Sequence, residues 1–267
     1  MTISFYTLGK FEVRRQGRRV RHVDWGSRSA ETLCKILLTY RDQPVDRTWL
    51  LEQIWPDLTG VAASQRLDWT LTQITWLLDI NCEAEQSVIE SGARVVQLHS
   101  TDLGIDNRLL VEATWLDPAA EGAVAELERV DDLYCGPYLP EGLAAPWSWG
   151  ERERLEVAYE TVLLKLADAY ALRGKYHSAI LVCQSALIAN PTCEAAVGRL
   201  MAWAYQLGNR AQGLEVYCDL CAWLDGEGRG QPAPALSVMA DSLRRGLPLP
   251  HAEFIQPSAL RLSQYTS

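Results

Sequence analysis

Residues 164–191 read LKLADAYALRGKYHSAILVCQSALIANP, and this stretch decides the fold of the C-terminal half. Apolar residues recur at helical spacing on both sides of Gly174, a residue suited to ending a helix. Gly208 lies 34 residues further on, again between two stretches with a helical pattern. Small side chains at Ala167 and Ala179 allow two antiparallel helices to approach closely. The pattern therefore predicts a repeated pair of antiparallel helices.

A period of 34 residues in this order resembles the tetratricopeptide (TPR) repeat. Such helical hairpins bind peptides or other domains and rarely catalyse reactions, so the resemblance implies a recognition protein. The sequence contains no HExxH, GxSxG or GxxxxGK[ST] motif, and its four histidines lie far apart. We therefore expect no enzymatic activity, no cofactor and no metal site.

The composition is typical of a soluble globular protein. Of 267 residues, 48% are hydrophobic and 22% are charged, and this length is sufficient for two cores. No apolar run approaches the roughly 20 residues that cross a bilayer. The N-terminus lacks the basic start and apolar run of a signal peptide. These features predict a cytoplasmic protein with no membrane partner.

The net charge of −9 is unevenly distributed along the chain. Residues 1–105 carry 12 basic and 13 acidic side chains, whereas residues 106–267 carry 13 and 21, a balance of −8. The acidic half is expected to avoid phosphates, and the nearly neutral half can tolerate them.

The seven cysteines are odd in number and mostly occur in apolar helical patterns. Cys218 and Cys221 form a CxxC, but no second CxxC or histidine pair completes a zinc site. The favoured interpretation is buried or half-buried free thiols, and the alternative is a metal or redox role.

Strand and helix signals in the first hundred residues follow the order of a winged helix-turn-helix. Helices are predicted to begin near Ser27 and Pro44, and a third to run from about Ala62 to Asp79. The predicted strands cover residues 3–8, 11–15, 20–25, 87–90 and 94–99. This order gives a small sheet, three helices and then a β-hairpin.

Beyond Asp106 the pattern is helical almost throughout, with a Pro/Gly-rich break over 136–149. We predict a mostly helical protein, in which an α+β winged helix-turn-helix is followed by an all-α TPR-like domain. The predicted division is a winged helix over 1–104, the TPR-like domain over 105–246 and a loosely docked or disordered tail over 247–267.

This arrangement resembles the short bacterial transcriptional activators of the SARP type, which join an OmpR/PhoB-like winged helix to a TPR-like bacterial transcriptional activator domain. The resemblance covers nearly all of residues 5–246 and implies a cytoplasmic bacterial regulator of transcription. The matching stretches are LGKFEVRRQGRRV (8–20), RDQPVDRTWLLEQIWP (41–56), LYCGPYLPEG (133–142), WSWGERERLEVAYETVLLKLADAYALRGKYHSAI (147–180) and GQPAPALSVMADSLRRG (230–246).

The resemblance implies that the third helix lies in the DNA major groove. In the family this helix is rich in arginine, whereas Arg66 is the only basic residue between Ala62 and Asp79 here. The helix can therefore neutralise few phosphates, although glutamine can read adenine and threonine can contact a thymine methyl. The expected DNA contacts are Arg66, Thr70, Thr72, Gln73 and, where the resemblance places the wing against the minor groove, Arg94.

Trp69 and Trp76 lie seven residues apart on the predicted third helix. Three interpretations are open for them: packing against the wing and the second helix, an exposed protein-binding patch, or contact with nucleic acid by stacking or wedging.

A basic cluster surrounds the Gln16-Gly17 turn. It is either a solvated hairpin whose charges prevent edge pairing or a site for phosphate or an acidic partner. The resemblance turns this sheet away from the major groove, so the second interpretation involves RNA polymerase, flanking DNA or the acidic half of the chain. The cluster includes Arg14, Arg15, Arg18 and Arg19.

The leading hypothesis is a DNA-binding transcriptional regulator whose winged helix binds double-stranded promoter DNA. Its TPR-like half would contact RNA polymerase or a regulatory protein, or form a homodimer, and an activating role comes from the resemblance alone. The alternative is a protein–protein interaction module that keeps the winged-helix fold but has lost DNA binding, using Trp69, Trp76 and the concave repeat surface. A third hypothesis, a small-molecule sensor in the helical half, has no motif in its favour.

Overall fold

The computed structural model describes residues 3–78, 87–142, 144–228 and 230–249. The chain divides into two compact units, of which the first comprises Met1–Arg108 and Cys135–Arg154 and the second Leu109–Tyr134 and Leu155–Ser267. The predicted fold class, an α+β winged helix-turn-helix followed by an all-α helical domain, is confirmed. The segment Cys135–Arg154 packs with the first unit, whereas the predicted division at residue 104 assigned it to the second.

The first unit contains two small sheets. The strands are β1 (Ile3–Tyr6), β2 (Glu12–Arg15), β3 (Arg18–Arg19), β4 (Val45–Asp46), β5 (Ile89–Ser91), β6 (Val95–Leu98) and β7 (Leu103–Ile105). The main sheet has the strand order β3-β2-β1-β7, with β1 antiparallel to β2 and parallel to β7, and the second has the order β4-β6-β5. Phe5 at the centre of the main sheet pairs with Val13 and Ile105, and all three are buried.

The prediction of a strand over residues 20–25 is wrong. The chain forms a 3-10 turn at His22–Trp25 instead. Asp24 accounts for the turn because its carboxylate accepts the backbone N–H of Arg21 at 2.7 Å, a local bond that competes with strand pairing.

Three described helices lie between β3 and β5: α1 (Arg28–Thr39), α2 (Arg47–Ile54) and α3 (Gly60–Leu78). Side chains cap the first two, since Ser27 Oγ accepts Ala30 N–H at 3.1 Å and the Asp46 carboxylate accepts Thr48 N–H at 2.8 Å. Leu33 and Leu37 of α1 pack in one core with the inner side of α3. Asp79, the predicted end of the third helix, lies outside the described residues.

The segment 135–154 joins the first unit through its backbone. Gly9 N–H donates to Pro137 O at 3.0 Å, and Leu139 N–H donates to Thr7 O at 2.9 Å. The side chain of Tyr138 is buried between these bonds, and its hydroxyl meets Thr39 Oγ1 at 2.9 Å. This short antiparallel contact, centred on the bridge between Leu8 and Tyr138, holds the segment on the first unit.

The described part of the second unit consists mainly of helices. Gly174 and Gly208 both have positive φ, 72° and 75°, and end the first helix of each predicted antiparallel pair. Most of the predicted tail 247–267 lies outside the described residues, which end at Leu249. Among the described residues the remaining α-helices are α4 (Asp106–Ala113), α5 (Ala123–Leu133), α6 (Trp149–Leu172), α7 (Tyr176–Ala189), α8 (Glu194–Gln206), α9 (Arg210–Gly226) and α10 (Pro234–Arg245).

Candidate functional site

Helix α3 has one buried side and one exposed side. Leu67, Leu71 and Ile74 lie in the core of the first unit, at the spacing that places residues above one another on a helix. The opposite side is exposed, and we call it the α3 face. It consists of Val61, Gln65, Asp68, Trp69, Thr72 and Trp76.

Both tryptophans of the α3 face are solvent-exposed. The exposed fraction is 51% for Trp69 and 78% for Trp76. The interpretation that they pack against the wing and the second helix is therefore wrong. The guanidinium carbon of Arg66 lies 5.4 Å from the centre of the Trp69 ring, a cation–π distance.

The predicted DNA-contacting residues differ in their exposure to solvent. Arg66, Thr72 and Arg94 are exposed. Thr70 is fully buried at 0% exposure, and its hydroxyl donates to Arg66 O at 2.8 Å. The prediction that Thr70 contacts DNA is wrong because this side chain belongs to the inner side of the helix.

Gln73 lies at the margin of the α3 face and is half-buried. Its amide packs against Gly26, where a Cβ would come within 2.8 Å of Nε2. Its Oε1 is buried with no hydrogen-bond partner among the described residues. In this conformation the side chain contacts the turn before α1, and its amide is not presented on the α3 face.

Arg47 connects α2, α3 and the β5–β6 hairpin. Its guanidinium forms an ion pair with Asp68 and donates to Ser91 Oγ at 2.9 Å and to Gly92 O at 3.4 Å. Its backbone N–H donates to Arg94 O at 2.9 Å. These bonds fix the hairpin beside the α3 face and neutralise the only acidic residue on that face.

We expect Arg47→Ala to loosen the hairpin and to lower the free energy of unfolding by about 1–2 kcal/mol, because it removes several hydrogen bonds from a mostly buried guanidinium. Amide hydrogen exchange should show faster exchange at Gly92, whose N–H donates to Val95 O. Arg94→Ala, which removes an exposed arginine of the same hairpin, is the control. Equal exchange at Gly92 in both variants would contradict this role for Arg47.

The exposed cations beside the α3 face are few. Arg66 and Arg94 form no ion pair with any residue that the structure describes. Arg47 is engaged by Asp68. The face is therefore nearly neutral and aromatic, with one arginine on α3 and one on the hairpin.

The N-terminal basic cluster is organised around Glu12, a residue that was not predicted to belong to a site. This buried carboxylate accepts Arg14 Nε at 2.6 Å and lies 3.4 Å from Lys10 Nζ and 3.6 Å from Arg19 Nε. The hydrogen bond from Arg14 holds the pKa of Glu12 below its ordinary value. The sequence feature that could have identified Glu12 is its position as a lone acidic residue within a basic stretch.

The strand register explains why such a carboxylate is needed. Arg14 pairs with Arg19 and Arg15 with Arg18 across the β2–β3 turn, so like charges face each other. Arg18 and Arg19 are exposed, and Arg14 and Arg15 are half-buried. Both interpretations of the cluster, solvated hairpin and partner site, stay predictions.

The described cysteines include both buried and exposed thiols. Burial raises the pKa of Cys34 and of Cys193 to about 12, so both are protonated at neutral pH. Cys218 is exposed and Cys221 half-buried on α9.

Across residues 3–78, 87–142, 144–228 and 230–249, no group of three or more His, Cys, Asp or Glu side chains is placed to hold a metal ion. In those same ranges no helix is long and apolar enough to cross a membrane.

An α+β unit with a three-helix array and a β-hairpin, joined to paired antiparallel helices, defines a winged-helix protein with a helical-repeat domain. The family model of the bacterial transcriptional activator domain matches residues 108–244, more than half of the chain. The protein belongs to this family of bacterial transcriptional regulators, and the resemblance to the SARP type is confirmed.

The fold is similar to that of Mycobacterium tuberculosis EmbR, solved in complex with a low affinity phosphopeptide. The TM-score is 0.74 at 18% sequence identity, over 93% of this chain and 66% of that chain. At this identity the likeness shows the fold alone, and the chain spans about two thirds of its neighbour's length. No curated protein matches the sequence.

Proposed function

We propose that the protein regulates transcription in the bacterial cytoplasm by placing α3 against promoter DNA, with the β5–β6 hairpin beside it. The observation that carries this proposal is the α3 face. It is exposed along the helix and lies next to a hairpin that Arg47 holds in register through Ser91 and Gly92. A helix and an adjacent wing are the two elements with which winged helices contact a duplex.

The side chains available for DNA are sparse, and this determines the expected mode of binding. In this proposal the exposed Arg66 and Arg94 would contact phosphates or base edges, and the exposed Gln65 and Thr72 would contact bases. Because these two arginines can neutralise about two phosphates, the logarithm of the DNA-binding constant should fall with the logarithm of the salt concentration with a slope of about −2. Such a shallow slope implies weak non-specific binding, so a partner of the helical unit would have to strengthen promoter binding.

We expect Arg66→Ala and Arg94→Ala each to weaken binding to the duplex upstream of the protein's own gene by about tenfold, the effect of losing one good arginine contact. Fluorescence anisotropy between about 50 and 200 mM salt would measure both the affinity and the salt slope. Arg245→Ala is the charge-matched control because Arg245 lies on α10 in the second unit. Wild-type affinity in both test variants would refute DNA binding through α3.

A second candidate function is a protein contact through the same face. The exposure of Trp69 and Trp76 favours it, since exposed tryptophans are frequent anchors of protein interfaces. The double variant Trp69→Ala/Trp76→Ala separates the two functions. Normal DNA affinity together with lost activity of a promoter reporter would assign the tryptophans to a protein partner, and lost DNA affinity would assign them to the duplex.

A further inference from the structure

We infer that a groove between α7 and α9 binds a basic, amphipathic helix of a protein partner. We call it the α7–α9 groove. It lies entirely within the second unit and has a volume of about 390 Å³. Its floor is apolar, formed by the buried side chains of Val197, Leu200 and Leu220. This inference is independent of DNA binding by α3.

The walls of the groove expose large apolar side chains. Ile188 of α7 is 84% exposed and Trp223 of α9 is 51% exposed, and both line the groove. Leu187 and Val216 continue the apolar lining as half-buried residues. Exposed large apolar side chains grouped at one groove are typical of an interaction site. A groove between two helices is the shape that accepts the apolar side of a third helix.

The charges on the rim determine which helix fits. Glu215 and Asp219 lie one turn apart on α9 and are both exposed at the edge of the groove. Neither carboxylate has an ion-pair partner among the residues that the structure describes. The described lining contains no lysine, arginine or histidine. A partner with basic residues flanking its apolar side satisfies both features, whereas an acidic helix or a nucleic acid would be repelled.

The charge of the surrounding sequence acts in the same direction. Residues 106–267 carry 13 basic and 21 acidic side chains. This surplus attracts a basic segment at long range and speeds its association, with a dependence on ionic strength. The groove itself then selects the segment by its apolar anchors.

The test uses the full chain and two labelled helical peptides of about 16 residues, the length of a four-turn helix. Both carry leucines at positions i, i+3, i+4 and i+7, and one has flanking lysines where the other has glutamates. We expect the lysine peptide to bind in a fluorescence anisotropy titration and the glutamate peptide to bind at least about tenfold more weakly. The tryptophan emission of the protein should shift to shorter wavelength as the lysine peptide binds, and this shift should be absent in Trp223→Phe.

A charge exchange supplies the decisive comparison. Glu215→Lys/Asp219→Lys should weaken binding of the lysine peptide by about tenfold or more and strengthen binding of the glutamate peptide. Glu112→Lys/Glu121→Lys, which makes the same change in charge at two other exposed positions of the second unit, should leave the preference unchanged. Glu215→Gln/Asp219→Asn serves if the reversal impairs folding, and it should reduce the preference for the lysine peptide.

Three results would overturn the inference. The first is equal binding of the two peptides by the unaltered protein. The second is an identical response of the groove variant and the control variant. The third is a homodimer, detected by sedimentation equilibrium, that dissociates in the groove variant, because a second copy would then be the occupant.

Discussion

Replacing Asp168 by alanine is expected to lower the stability of the second unit by about 3–5 kcal/mol, the usual cost of removing one partner of a buried ion pair. Asp168 and Arg199 are 8% and 2% exposed. Arg199 Nε lies 2.8 Å from Asp168 Oδ1, and its Nη2 lies 2.9 Å from Oδ2. The pair is bidentate, which is the strongest arrangement of these two groups.

The expected loss comes from the charge that remains. Burial works to lower the pKa of Arg199, but the hydrogen bonds and charge of Asp168 outweigh it and raise the pKa above its ordinary value. Arginine cannot lose its proton in a protein, so the Asp168→Ala variant must bury an unpaired guanidinium or distort to expose it. Its remaining bond, from Nη1 to Ala195 O at 3.1 Å, does not neutralise the charge.

Urea denaturation followed by far-UV circular dichroism would measure the loss. The control is Asp168→Leu/Arg199→Met, which replaces the pair by apolar side chains of similar volume and should cost much less than the single change. A single variant within about 1 kcal/mol of the unaltered protein would show that the ion pair does not stabilise the unit. Equal losses in the single and double variants would attribute the effect to packing instead of charge.

The sequence predicted the helical unit well because its signals are local. Apolar spacing and the glycines at 174 and 208 define where helices run and end, and both glycines do adopt positive φ. Asp168 and Arg199 could not be paired in this way, since 31 residues separate them. Their positions inside apolar helical stretches were a signal of buried charge but not of its partner.

In the first unit, helical periodicity and residue type favour different sides of α3 for the same residues. Leu67, Leu71 and Ile74 define the inner side of α3, and Thr70 falls within that stripe whereas Trp69 falls opposite it. Tryptophan is more often buried than threonine, so residue type alone favours the wrong side of the helix for both. Helical periodicity alone separates these two residues correctly.

Other features of the first unit depend on tertiary structure. Arg47 reaches Asp68, Ser91 and Gly92 only because α2, α3 and the hairpin converge. The contact between residues 7–9 and 137–139 likewise joins segments about 130 residues apart. Such pairings follow from the packing of the unit and carry no local sequence signal.

That second contact predicts a large effect of Gly9→Ala, of about 3 kcal/mol. Gly9 has φ of 81°, a conformation that strains any residue with a Cβ. A Cβ at this position would lie 2.5 Å from both the carbonyl carbon and the oxygen of Cys135. These are backbone atoms, so the clash is relieved only by moving the chain, and strain and overpacking add to the expected loss.

Gly17→Ala separates the two causes. Gly17 has φ of 76° in the β2–β3 turn, but a Cβ there meets nothing within 4 Å, so strain alone should cost about 1 kcal/mol. Urea denaturation would compare the two variants, and hydrogen exchange at Leu139, whose N–H donates to Thr7 O, would report on the contact itself. Faster exchange at Leu139 in Gly9→Ala alone is the expected result. Equal stability of the two variants would mean that the close approach of Gly9 and Cys135 is not required to hold residues 135–154 on the first unit.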